Sequence, residues 1–370
     1  MCASAWEQSD FLELDSYWQR VMLHRLSNML FGRVSAIMVV FCLVGCSAPR
    51  EEYVTVDGQM LGTFLHIVAQ TDVEPSEIYS KMMQLDCEAK ASMSIFDEQS
   101  LLSRVNRGET DSLDSHIIYN LELARRVHQL SGGAYDVTIK PLTTAYGFAG
   151  KEREYQVNID SLLQFVGMDK VSVEGGRLVK ADSRVQLDFN SIAKGYIVDL
   201  AAGELEQMGI ENYIVDIGGE VRCKGINKKG LDWRVGVETP FDGNQTNGEF
   251  IQQIISLSNC SMATSGNYRR YYLDDEGRKV AHTINPRTGQ SVISELLSAT
   301  VIAPTCAEAD AYGTMFMALG KEAAIELARR MSEQGVYVYF ITSGKGDDFE
   351  VYYSSQLESM LSHSEGFNAL

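Results

Sequence analysis

The sequence predicts an α+β fold of two interlocked α/β lobes. Strand-like and helix-like segments follow one another irregularly, without the regular β-α-β alternation of a doubly wound sheet. No Gly-x-Gly-x-x-Gly joins a strand to a helix, which weighs against a Rossmann dinucleotide site. Hydrophobic residues make up 45% of the 370, enough for a sizeable core.

The elements are expected in this order. After a short polar tether, residues 49–52, the alternation of Leu61, Phe64, Leu65, Ile67 and Val68 reads as a first strand over 53–70, with Gly62 permitting close approach. A helix is expected over 76–91, and a clearer one over 117–130 that Ser131-Gly132-Gly133 ends. Residues 178–187 read as a strand and 192–208 as a helix. Residues 213–225 read as two strands around a Gly218-Gly219 turn. Strands follow at 233–238, 250–257 and 297–302, then helices near 307–319 and 321–334 and a strand at 336–342.

The N-terminus has the anatomy of an export signal over residues 1–45. Arg25 and Arg33 precede an apolar run from Val34 to Val44 that is short for a bilayer span. That run ends in Leu43-Val44-Gly45-Cys46, which resembles a bacterial lipobox, so Cys46 is the expected lipidation site and 46–52 a tether to a domain over 53–370. The expected location is therefore a bacterial membrane, lipid-anchored on the periplasmic side. Glu7, Asp10, Glu13 and Asp15 are out of place in a signal, which makes Met22 or Met29 an alternative translation start. A net charge of −18 excludes a basic nucleic-acid surface. Beyond the signal and Cys46, the widely spaced Cys87, Cys223, Cys260 and Cys306 contain no Cys-x-x-Cys and are expected to be buried thiols.

Chemistry concentrates in polar, glycine-rich blocks. Asp310 and Thr314 stand four residues apart in a small, apolar run, so a helix places both on one face. A carboxylate and a hydroxyl so stacked suit a hard cation. Helix capping by Asp310 and a backbone bond from Thr314 would explain the same pattern. The other blocks are Ser94-Ile95-Phe96, Gly133-Ala134-Tyr135-Asp136-Val137-Thr138, the run Asp188 to Tyr196 that includes Ser191 and Lys194, Ala263-Thr264-Ser265-Gly266, and His282-Thr283-Ile284-Asn285-Pro286-Arg287-Thr288-Gly289.

These blocks, in this order, resemble the ApbE family of FAD:protein FMN transferases from about Gly62 to Gly320. Two departures stand out: Leu61-Gly62-Thr63 replaces the family's Met-Gly-Thr, and Tyr146-Gly147-Phe148 its Trp-Gly-Phe. The resemblance implies Mg²⁺-dependent transfer of FMN from FAD to a Ser or Thr of a target protein, with release of AMP. It implies metal ligation by Asp310, Thr314 and Ser191, the last through its carbonyl. It implies FAD contacts from Leu61, Ser94, Ile95, Phe96, Ala134, Tyr135, Asp136, Asp188, Lys194 and Ile284, with FAD and Mg²⁺ held between the lobes.

His282 is the candidate base, with an ordinary imidazole pKa that leaves it largely neutral. Arg269, Arg270 and Arg287 are candidates to steer phosphate. The implied partner carries an Asp-x-x-Ser/Thr-Ala/Gly-Thr segment. The chain's own Glu295 to Thr300 departs from that pattern at Glu295 and reads as core strand. Two other readings use the same residues. One is an FAD pyrophosphatase giving free FMN and AMP. The other is a non-catalytic flavin-binding lipoprotein, which would have no need of a cation clamp.

Overall fold

Two central strands with almost no exposed side chain explain the architecture. Such strands need a layer on each face. The computed structural model describes residues 52–362, except 151, 154–157, 243, 245–247, 269 and 347. The signal, Cys46 and the tether up to residue 51 lie outside the described residues, as does Arg269.

The chain opens with a hairpin, β1 (Glu52–Met60) and β2 (Thr63–Thr71), where one long strand was expected. The reversal occurs at Leu61 and Gly62, both left-handed (φ 54° and 77°), as a tight two-residue hairpin turn requires. Leu61 is held there by its N–H, which donates to Asp86 Oδ1 at 2.8 Å. Helices α1 (Pro75–Met93), α2 (Leu101–Asn106) and α3 (Ser115–Leu130) follow, then short α4 (Lys140–Ala145) and α5 (Ile159–Leu163). A small ribbon pairs β3 (Val171–Glu174) with β4 (Arg177–Lys180). The strand expected over 178–187 ends at Lys180, where Asp182 bonds the backbone and guanidinium of Arg184 and turns the chain. Only Gln186 pairs again, in a single bridge to Ile139.

Helix α6 (Ala193–Gln207) leads into β5 (Tyr213–Ile217) and β6 (Glu220–Lys224), then β7 (Trp233–Glu238), β8 (Ile251–Leu257) and β9 (Cys260–Gly266). A ribbon of β10 (Tyr271–Leu273) and β11 (Lys279–Ala281) precedes β12 (Leu296–Ala303), α7 (Cys306–Leu319), α8 (Lys321–Ser332), β13 (Tyr337–Ser343), β14 (Phe349–Tyr353) and β15 (Leu361–Ser362). The main sheet has the order β1-β2-β5-β6-β9-β12-β13-β14, antiparallel throughout. Ile67, Val215, Val301 and Phe340 face the helices in the larger core. Cys223, Ile302, Tyr339 and Ile341 face the second sheet, β15-β8-β7, with Trp233 and Leu257. The alternation along β12 and β13 thus supplies both cores, which is why these strands read as nearly continuous apolar runs.

The fold is α+β, as expected. The described residues from 52 to 362 form one compact unit, with a smaller body packed around Leu142, Val166 and Ile284 beside the main sheet. All four described cysteines are free thiols. Cys223 and Cys306 are buried, Cys260 is half-buried, and Cys87, contrary to expectation, is exposed on the outer face of α1.

Candidate active site

The Ala-rich run after β12 forms α7 because Thr305 caps its start, accepting from the Glu308 N–H. Asp199 adds a second cap from α6, accepting from Cys306 N and Ala307 N at 2.9 Å each. Asp310 is therefore not needed as a cap. It lies in the second turn, 4% exposed, and its Oδ2 accepts from Gly195 N at 3.0 Å. One turn on, Thr314 Oγ1 lies 3.4 Å from Ser265 Oγ on β9. Gly195 is needed for this approach. A Cβ there would overlap the carbonyl oxygen of Cys306 and lie 2.8 Å from Asp310 Cβ.

Asp310 and Thr314 line a cavity of about 300 Å³ together with Ala134, Tyr135, Asp136, Asp188, Ser191, Lys194, His282 and Ile284. The fold thus gathers ten of the fourteen residues expected as base, flavin contacts or metal ligands. It does not gather the other four. Leu61 occupies the β1–β2 turn. Ser94 ends α1, its Oγ accepting from Phe96 N and Asp97 N at 3.1 Å each. Ile95 packs against the larger core, and Phe96 is 58% exposed and does not line the cavity. Arg270 lines it, whereas Arg287 lies beside Gly132 and Gly133.

The carboxylates differ in what occupies them. Asp136 Oδ1 accepts from Thr138 N and Oγ1 (2.8 and 2.6 Å), and Oδ2 from Met168 N at 3.0 Å. It braces its own loop, with His128 Nδ1 3.4 Å away. Asp188 accepts from Asn190 N (2.9 Å) and Thr143 Oγ1 (3.0 Å), and burial pushes its pKa up. Burial likewise raises Asp310, against the opposing pull of Lys194 and the Gly195 N–H. The Ser191 hydroxyl is 2.8 Å from Tyr135 OH, and burial raises that phenol far above its ordinary range.

One site residue was missed from the sequence. Gly218 and Gly219, both left-handed (φ 67° and 95°), turn β5 tightly into β6. The first residue of β6 is Glu220, 3% exposed and directed at the cavity, where it pairs with the Lys194 ammonium. Burial raises Glu220 to about 7. Burial alone would lower Lys194, but Glu220 and Asp310 outweigh it and hold Lys194 above its ordinary value. The Gly-Gly turn was legible in the sequence; the inward aim of the residue after it was not. Thr264, Ser265 and Tyr268 also line the cavity. With Gly218, Thr264 and Tyr268 border an adjoining cavity of about 620 Å³ as well.

His282, next to β11, has Nδ1 3.2 Å from the Arg270 carbonyl, an acceptor, so Nδ1 carries the proton and Nε2 the lone pair. Its ring meets Phe148 edge-on at 6.3 Å. Burial first, then the Arg270 charge, lowers its pKa to about 4, where an ordinary imidazole was expected.

Asp310, Thr314 and Ser191 offer only oxygen, which fits a hard cation. Among the described residues, no group of three or more His, Cys, Asp or Glu side chains could hold a metal alone. A hard cation held by these three oxygens would complete its shell with water or substrate phosphates.

The ApbE family sequence model matches residues 61–340. The FAD:protein FMN transferase of Vibrio cholerae serotype O1 is 32% identical over 88% of this chain and 98% of that protein. Its counterpart in Escherichia coli K12 is 31% identical over 90% and 97%. The solved flavin transferase ApbE from Vibrio cholerae superposes with a TM-score of 0.74 at 30% identity, covering 84% of this chain and 99% of that one. The apo flavinyl transferase ApbE of Pseudomonas stutzeri gives 0.74 at 26% identity, covering 84% and 96%.

Proposed function

Since the chain belongs to the ApbE family, we propose that it is a flavin transferase that moves FMN from FAD to a protein hydroxyl and releases AMP. The observation that carries this reading is the convergence of Asp310, Thr314, Ser191, Lys194, Asp188 and His282 on one cavity. A flavin carrier would need a pocket but not an all-oxygen cation site beside a neutral, oriented imidazole.

Asp310, Thr314 and the Ser191 carbonyl would hold Mg²⁺, which when bound neutralises charge on the two phosphates as the bond between them breaks. The protein's own groups do the remaining work. Lys194 sets a positive charge beside the phosphate position, and Asp188 holds the Thr143 side of the pocket. Nε2 of His282 accepts the proton of the incoming Ser or Thr as its oxygen bonds to the FMN phosphorus and AMP departs. The low pKa keeps that nitrogen unprotonated at neutral pH.

The reading extends to partner and place. The acceptor carries an Asp-x-x-Ser/Thr-Ala/Gly-Thr segment, and Cys46 is lipidated, tethering the enzyme to a bacterial membrane on the periplasmic side. One acyl chain binds marginally at ~0.8 kcal/mol per buried CH₂, so stable anchoring takes more than one chain.

The test mixes purified protein, FAD and Mg²⁺ with an acceptor protein bearing that segment. FMN fluorescence should then persist on denatured acceptor, with AMP formed in equal amount and neither formed in EDTA. Free FMN and AMP without labelled acceptor would identify an FAD pyrophosphatase instead. Mass spectrometry of the mature N-terminus tests the anchor: an unmodified Cys46 would end that part of the reading.

A further inference from the structure

We propose that Glu220 is a positioning residue for the cation site: it holds the Lys194 ammonium away from Asp310 and so leaves Asp310 available to a metal. This inference rests on the reading of Asp310 as a metal ligand.

Lys194 and Gly195 are consecutive at the start of α6, and the Gly195 N–H already bonds Asp310. The lysine side chain thus starts beside the one carboxylate proposed to hold the cation. Both Glu220 and Asp310 attract the ammonium. Yet Lys194 pairs with Glu220, and no ion pair joins it to Asp310. Glu220 is able to compete because the two-residue Gly218-Gly219 turn delivers its carboxylate into the cavity wall from β6.

Two buried carboxylates and one part-exposed ammonium share this corner. If Lys194 neutralised Asp310, Glu220 would be the lone charge and a divalent cation would have to displace an ammonium from its ligand. With Lys194 on Glu220, the uncompensated charge stays on Asp310. A buried charge interacts far more strongly than one in water, so this choice of partner has a large effect on cation affinity. The second oxygen of Glu220, Oε2, is buried without a hydrogen-bond partner.

Mn²⁺ titrated into the full mature chain, with free Mn²⁺ read by its EPR signal, tests this without reference to turnover. Glu220→Gln keeps the shape and removes the charge, freeing Lys194 to oppose the cation at Asp310. Its Mn²⁺ affinity should fall about tenfold or more, an effect of the size expected for one lost charge partner. The double variant Glu220→Gln with Lys194→Met removes both charges of the pair together and leaves Asp310 as it stands in the parent, so it should fold like the parent. Its affinity should return to within about threefold of the parent, a non-additivity that only coupled residues produce. If the double variant stays as weak as Glu220→Gln, Glu220 is itself a ligand and the inference is overturned. Unchanged affinity in Glu220→Gln overturns it while leaving the metal reading intact. A parent chain that binds no Mn²⁺ at Asp310, shown by an identical titration of Asp310→Asn, removes the metal reading and this inference together.

Discussion

The two walls of the cavity are built very differently. The α7 wall belongs to the core: α7 packs against β9, β12 and α6, so closely to the last that no Cβ fits at Gly195 beside Asp310. The His282 wall hangs on the β10–β11 ribbon, two strands of three residues each, with Leu273 at its tip 61% exposed. A two-stranded ribbon alone is marginal in water. This one is steadied by Phe148, whose ring meets both Tyr272 and His282, and by Arg153 lying 4.9 Å from the Tyr272 ring. The groups proposed to hold the cation are thus preformed by folding, whereas the proposed base sits on a light attachment. A cation site must hold its oxygens at fixed spacing, which only dense packing enforces. A base needs only one oriented nitrogen.

Breaking the rigid wall should have the largest effect on chemistry and little on stability. Asp310→Asn removes the formal charge at nearly constant volume, so FMN transfer should be abolished at ordinary Mg²⁺. Its melting temperature should stay level or rise, since a desolvated carboxylate has been removed. Normal transfer by this variant in EDTA would rule out a metal at Asp310.

The light wall should fail more selectively. His282→Ala should slow transfer by about 10²-fold or more while FAD still binds in a fluorescence titration, the usual range for a lost general base. The pH dependence sharpens the contrast. Because the folded pKa is lowered from 6.5 to about 4, His282 stays neutral and active down to acid pH. The parent's acid limb should therefore fall near 4, not near 6.5. Between those values the unfolded chain binds the extra proton, so this group favours folding above about 6.5 and its contribution is lost as pH falls toward 4. An acid limb near 6.5 that His282→Ala abolishes would show the imidazole to be solvated.

Smaller effects should separate ligand from scaffold. Thr314→Val keeps the shape and deletes one oxygen, so Mg²⁺ dependence should shift modestly, by less than for Asp310→Asn. Asp136→Ala should act mainly through folding. Its carboxylate already serves Thr138 and Met168, so the loss should cost about 2–3 kcal/mol in denaturant unfolding, with flavin affinity falling as a consequence. Weakened FAD binding with an unchanged unfolding midpoint would make Asp136 a direct contact.

Much of this was legible locally. The helices near 117–130 and 307–319 carry capping side chains, Asp114 and Thr305, and the one near 76–91 starts at Pro75, so their positions follow from neighbouring residues. The Asp310–Thr314 spacing likewise defines one helix face without knowledge of what lies opposite. The exceptions are long-range. Two consecutive left-handed residues at Leu61 and Gly62 break what reads as a single strand, because alternation continues through a hairpin unchanged. Of the family-derived contacts, Leu61, Ser94, Ile95 and Phe96 stay away from the cavity that gathers the others, and no spacing along the chain distinguishes the two sets. Glu220 becomes a site residue only because a β-turn aims it at a lysine from another element. The His282 imidazole is held neutral only because burial near Arg270 penalises its charged form. Periodicity and capping act over a few residues and are written in the sequence. Desolvation, charge pairing and convergence depend on which distant segments meet, and only the packed structure decides that.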